Sequence, residues 1–233
     1  MELAIDTSSS TASIALAHKG KILSELTWQS TREHTVELTP NLAYLLKQAK
    51  VEPASLEAII VAKGPGSFNG LRVGMSTAKG LAFSLGIPII GISTLEVEAY
   101  QHAETGLPIC PIFDAGRGEI ATAIYQKKRN QWRQLLAEHI TTLEALCSQI
   151  TIKTIFCGEM TPTIISELRK ALRQKAVIPP PAFRLRRAGY LAELGLKRFK
   201  VGDFDNPATL QPLYLRRPPI TTPKRSVTLG GHA

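Results

Sequence analysis

Leu3-Ala4-Ile5-Asp6-Thr7 and Pro111-Ile112-Phe113-Asp114-Ala115 are two versions of one pattern, an apolar run that ends in aspartate before small residues. After the first, Ser13 to His18 and Lys21 to Thr27 read as two more strands joined by the tight turn Lys19-Gly20. After the second come the loop Ala115-Gly116-Arg117-Gly118, a strand from Glu119 to Gln126, a turn at Arg129-Asn130 and a strand from Gln131 to Glu138. A strand and hairpin that recur this way indicate an internal duplication. Asp6 and Asp114 then stand at matching strand ends, bordering a cleft or merely capping their turns.

Working outward, Leu38, Leu42, Leu45, Leu46 and Ala49 recur at three- and four-residue steps, the stripe of a helix in which Pro40 marks the first turn or a kink. Ala58 to Ala62 is a continuous apolar run suited to a strand buried on both faces, closed by Gly64-Pro65-Gly66. A helix from about Gly70 to Leu85, a strand from Pro88 to Ile92 and a helix from Thr94 to His102 follow. The second copy is shorter, with a helix from Thr141 to Ser148, a strand from Thr154 to Cys157 and a helix from Thr161 to Arg173. Val177-Ile178-Pro179-Pro180-Pro181 reads as a stiff link, Ala188 to Phe199 as an amphipathic helix and Pro207 to Arg217 as an extended arm.

Three strands, helix, strand, helix, strand is the ribonuclease-H-like order. The expected fold is α/β, two tandem ribonuclease-H-like lobes with mixed sheets flanked by helices, over residues 1–103 and 104–217. The last helix, about 188–199, is expected to pack back on the first lobe. Residues 218–233, polar and basic without apolar periodicity, are expected to form a mobile tail.

At 233 residues and 44% hydrophobic content the chain can build such cores. No apolar run approaches the roughly 20 residues of a membrane helix, and Met1 to Asp6 lacks a secretory pattern, so a cytoplasmic protein is expected. Cys110, Cys147 and Cys157 are widely spaced in apolar stretches and read as reduced, buried thiols. A net charge of +9 suits an acidic partner such as RNA. No aromatic residues interleave the cations as single-strand binders require.

Gly64-Pro65-Gly66-Ser67-Phe68-Asn69-Gly70-Leu71-Arg72 leads from a strand into a helix, a geometry that can cradle an anion or simply make a tight connection. It lacks the Lys-Ser/Thr of a Walker loop. With Asp6, Thr7, Ser8 and Asp114, the residues Gly64, Gly66 and Ser67 make up a candidate, degenerate nucleotide cleft. In the helix, Gly70, Gly74 and Ala78 repeat every four residues. Interior glycines each cost about 1 kcal/mol relative to alanine, so the strip calls for close approach by another helix, of this chain or of a partner. His18, His34, His102, His139 and His232 form no pair at helical spacing, and no nucleophile elbow surrounds Ser67.

Asp6-Thr7-Ser8-Ser9-Ser10, Gly64 to Arg72, Thr77 to Ala82, Gly86-Ile87-Pro88, Gly91 to Glu96, Asp114 to Glu119 and Pro212 to Arg216 resemble the successive signatures of the TsaB family. That family shares its fold with actin, sugar kinases and heat-shock chaperones. The resemblance implies a non-catalytic subunit, without a required cofactor, that pairs with the TsaD transferase. TsaD carries threonylcarbamoyl to N6 of adenosine 37 in tRNAs reading ANN codons, and the ATPase TsaE joins the pair. It also implies a pairing surface on two helices of the first lobe, here assigned to His34, Leu38, Leu42, Leu45, Gly70, Gly74, Met75, Ala78 and Leu81. The same face can bury against a second copy, giving a homodimer in isolation, and tRNA is met through the complex. Thr94 and Glu98 stand where the catalytic relative has its two metal-binding histidines, a poor ligand set, so no metal is expected. The alternative is a kinase-like or actin-like ATP-binding enzyme; otherwise nucleotide is limited to weak binding or to a composite site at the subunit junction.

Overall fold

The structure, a computed structural model, describes residues 1–31 and 33–216. The first sheet is built from β1 (Glu2–Asp6), β2 (Thr11–His18), β3 (Lys21–Gln29), β4 (Ala58–Ala62) and β5 (Ile89–Ile92) in the order β3-β2-β1-β4-β5. β6 (Ile109–Gly116), β7 (Glu119–Lys128), β8 (Gln131–Thr142), β9 (Thr154–Gly158) and β10 (Ala176–Val177) repeat it as β10-β9-β6-β7-β8. In each sheet the first strand pairs antiparallel with its hairpin neighbour and parallel with the strand on its other side. β1 and β4 lie at the centre and are buried along their whole length, which is why both read as unbroken apolar runs.

Two helices, α1 (His34–Ala49) and α2 (Phe68–Leu85), cover one face of the first sheet, and α4 (Leu143–Gln149) and α5 (Pro162–Leu172) cover one face of the second. The opposite faces are covered by exchange. Leu95 and Ala99 of α3 (Thr94–Tyr100) pack on Ile109, Phe113 and Ala121 of the second sheet. Leu191, Ala192 and Leu194 of α6 (Ala188–Lys200) pack on Ala4, Ala15, Ile60 and Ile90 of the first. A Cβ on Gly195 would lie 2.5 Å from Ile60 side-chain atoms, so α6 sits directly on β4. Each sheet is thus finished by a helix from the other copy, and the two share one interior.

Four expectations change in detail. α1 begins at His34, so Pro40 lies inside it rather than in its first turn, while Leu38, Leu42 and Leu45 of its stripe are buried in the core. β8 continues to Thr142 rather than ending at Glu138, since β7 pairs with it up to Glu119↔Thr142. The link at Val177 contains β10, a two-residue strand parallel to β9. The expected arm, described over 207–216, has no regular structure, but its Leu210 is buried in the first lobe's core. The tail 218–233 lies outside the described residues.

Candidate functional site

Asp6 is fully buried at the carboxyl end of β1. Its Oδ1 accepts from the Ser8 amide at 2.9 Å and from the Ser8 hydroxyl at 2.5 Å. Facing it is Arg186, from the segment that leads into α6, with only 5% of its surface exposed. Arg186 Nη1 donates to Ser8 Oγ and lies 3.6 Å from Asp6 Oδ1. Nε lies 3.7 Å from Glu98 Oε2 of α3, and Nη2 3.8 Å from Glu159 Oε1, just past β9. The guanidinium carbon stands 4.9 Å from the ring centroid of Phe113 on β6. Parts of both sheets and of the interlobe helix therefore converge on one buried cation.

Burial opposes charge on Arg186, but Asp6, Glu98 and Glu159 together outweigh it and raise its pKa above the usual guanidinium value. Burial pushes the Glu98 carboxyl up to about 7; Arg186 draws it back, while Asp6 and Glu159 push it higher. Gln101 Nε2 donates to Glu98 Oε1 at 2.8 Å, which also favours the carboxylate.

The glycine-rich loop directs its donors inward. Ser67 N donates to Ser8 O at 2.7 Å, Gly64 N to Thr94 Oγ1 at 3.0 Å and Gly70 N to Ser67 Oγ at 3.3 Å. A Cβ on Gly66 would lie 2.2 Å from Ser8 O. The loop is thus a tight connection that fastens β4 to the β1–β2 turn. Thr94 secures this loop and Glu98 pairs with Arg186, so both side chains are engaged within the chain. Asp114 is exposed, and its Oδ1 accepts from Gly116 N at 2.8 Å, a local turn contact. Of the seven residues assigned to the cleft, Asp6 and Ser8 touch the guanidinium; Thr7 instead donates to Gly70 O at 2.7 Å.

The arm crosses the mouth of the cleft. Leu213 N donates to Lys63 O at 2.6 Å, Tyr214 packs 5.3 Å from the Phe68 ring, and Arg216 pairs with Glu119 and donates to Ala115 O. A cavity of about 160 Å³ remains among Pro65, Gly66, Phe113, Asp114, Tyr214 and Arg216, below the ~300 Å³ of small-molecule sites. Depressions of 580–600 Å³ lie elsewhere, around Lys63, Trp132 and Arg198, and are not lined by the Asp6 cluster. The space beside Asp6 is taken up by the Arg186 side chain. Among the described residues no group of three His, Cys, Asp or Glu side chains is placed to hold a metal ion.

The expected pairing residues lie largely inside the chain. His34, Leu38, Leu42, Leu45, Gly70, Gly74, Met75 and Ala78 are buried inside the chain and Leu81 packs against the same core. The nearest neighbour of the glycine strip is not a helix: a Cβ on Gly70 would lie 2.1 Å from Thr7 O and 3.3 Å from His34 Cδ2 of α1, and one on Gly74 2.3 Å from Thr7 Oγ1. Its close neighbour is the end of β1. Among the apolar side chains that α1 and α2 present outward are Val36, Tyr44 and Phe83, exposed by 64%, 54% and 87%. Arg186 and Glu159 were not singled out from sequence. The one local hint is Arg186-Arg187 just before the last apolar helix.

The family model described as TsaD, tRNA N6-adenosine threonylcarbamoyltransferase, matches residues 21–201. The tRNA threonylcarbamoyladenosine biosynthesis protein TsaB of Bacillus subtilis is 35% identical over 199 residues, 84% of this chain and 87% of that relative. TsaB of Haemophilus influenzae is 27% identical over 225 residues, 92% of each. Among solved structures, YeaZ from Pseudomonas aeruginosa superposes with a TM-score of 0.75 at 25% identity, covering 91% of this chain and 99% of that one. An activator of 2-hydroxyisocaproyl-CoA dehydratase from Clostridium difficile, solved with bound ADPNP, shares the fold at a TM-score of 0.52 and 12% identity, covering 88% and 98%. No helix of the described residues is long and apolar enough to cross a membrane. With relatives matched along almost its whole described length, the chain belongs to the TsaB family of tRNA threonylcarbamoyladenosine biosynthesis proteins.

Proposed function

We propose that this chain is the non-catalytic subunit of a cytoplasmic tRNA threonylcarbamoyladenosine machine, pairing with a TsaD-like transferase and supporting its action on tRNA. The observation that carries this reading is the Arg186 guanidinium, which occupies the space among Asp6, Glu98 and Glu159 between the lobes, with a cavity of about 160 Å³ beside Phe113 and Asp114. A TsaE-like ATPase and tRNA meet the pair rather than this chain alone. The fitting pairing surface is the outward side of α1 and α2, where Val36, Tyr44 and Phe83 present apolar side chains to solvent.

Reconstitution tests the reading. Modified tRNA should form when this chain is combined with its TsaD and TsaE counterparts and the threonylcarbamoyl adenylate, and fall to background when it is left out. Turnover by this chain alone, or full turnover without it, sinks the proposal. Large exposed aromatics at interfaces are frequent energetic anchors. Phe83→Asp combined with Tyr44→Asp is therefore expected to weaken the heterodimer at least about tenfold. Thermal stability of the isolated chain should hardly change, because surface substitutions away from packed features stay near 0.5 kcal/mol. Sedimentation of the mixed subunits measures the first and calorimetric melting the second.

A further inference from the structure

We propose that Arg186 is a tethered counter-cation: its guanidinium fills the cleft between the two sheets, offsets part of the negative charge of the carboxyl groups that converge there, and holds the lobes together with no ligand required. This inference concerns the chain by itself and stands whether or not the proposed partnership is correct.

Removing a guanidinium from water is expensive, so a buried arginine needs carboxylates and hydrogen-bond acceptors around it. Here Asp6 comes from the first sheet, Glu159 from just past β9 of the second and Glu98 from the helix between them. Phe113 adds a π face 4.9 Å from the guanidinium carbon. Asp6 Oδ2 is buried without a hydrogen-bond partner among the described residues. The pocket is therefore rich in negative potential, and the arginine is the cation within it.

The arginine is also held from behind. Its neighbour Arg187 donates through Nε and Nη2 to Glu25 Oε2 of β3 at 3.0 and 2.6 Å. Glu25 Oε1 accepts from Gly189 N at 2.8 Å, and Ser13 Oγ of β2 from Ala188 N at 2.9 Å. Side chains of the first sheet thus cap the amino end of α6, whose own flanking residue supplies no cap. The start of α6 is pinned to the first sheet, and the side chain one residue before that cap points into the cleft.

Three substitutions and three added ligands test the idea by thermal melting of the full chain. Arg186→Met keeps much of the apolar stem and loses the charge; its melting temperature should fall by about 10 °C. Adding Glu98→Gln to that variant removes one stranded carboxylate and should recover a clear part of the loss. Arg186→Ala leaves a space shaped for ethylguanidinium, which at low millimolar concentration should raise the melting temperature of this variant saturably. Propylammonium should not do so, and neither compound should stabilise the wild type. Wild type should shift by less than about 3 °C with 1 mM ATP and magnesium. The proposal is overturned if Arg186→Met melts with the wild type, if Glu98→Gln deepens the loss, or if ATP stabilises the wild type strongly. Should Arg186→Ala fail to fold, the Met and double variants still decide.

Discussion

Gly70→Ala is expected to destabilise the chain by about 2–3 kcal/mol, although alanine is the better helix former by about 1 kcal/mol. The new methyl would lie 2.1 Å from the Thr7 carbonyl oxygen and 3.3 Å from His34 Cδ2. The first neighbour is backbone, tied by the Thr7 hydroxyl to Gly70 O and continuous with β1 at the centre of its sheet, so it has little room to yield. Gly80→Ala, in the same helix with nothing within 4 Å of the added atom, should instead stabilise by up to about 1 kcal/mol. Urea unfolding of the pair separates packing from propensity. Equal effects of the two substitutions would show that the contact with Thr7 is unimportant.

Stability should also carry a pH signature from Glu98. Burial holds its carboxyl at about 7 in the folded chain, against an ordinary value of 4.5. Between those values the folded state keeps a proton that the unfolded state has released, so the unfolded state binds fewer protons and stability falls as pH rises. Glu98's contribution is fully present below pH 4.5 and lost as pH climbs through 7, a change of about 3 kcal/mol. The groups facing it are Arg186, Asp6, Glu159 and Gln101. Glu98→Gln cannot titrate, so the stability gap between wild type and variant should change by about 2–3 kcal/mol between pH 5 and pH 8. Parallel profiles in denaturant titrations would show that Glu98 stays ionised throughout.

Much of the fold was legible because it rests on local pattern. The apolar runs of β1 and β4 and the leucine stripe of α1 each state their burial within a few residues. β10 was missed because two residues are too few to show a period and its pairing with β9 is decided elsewhere in the chain. α2 was read partly. Its glycines called for a close neighbour, which turned out to be Thr7, more than sixty positions earlier. Any backbone that approaches closely excludes a side chain in the same way, so spacing alone could not say whether helix, strand or partner stood there.

From residue order alone came the duplication, the two sheets with their helices, and the absence of a histidine pair at helical spacing. Those features depend on periodicity and on the chemistry of single side chains, both contained in short stretches. The folded chain decided which sides of α1 and α2 face water, that α3 and α6 cover each other's sheets, and that Arg186 stands among Asp6, Glu98 and Glu159. A buried charge is set by groups brought together from distant parts of the chain, and a lone arginine in a basic sequence carries no local mark of the carboxylates it will meet.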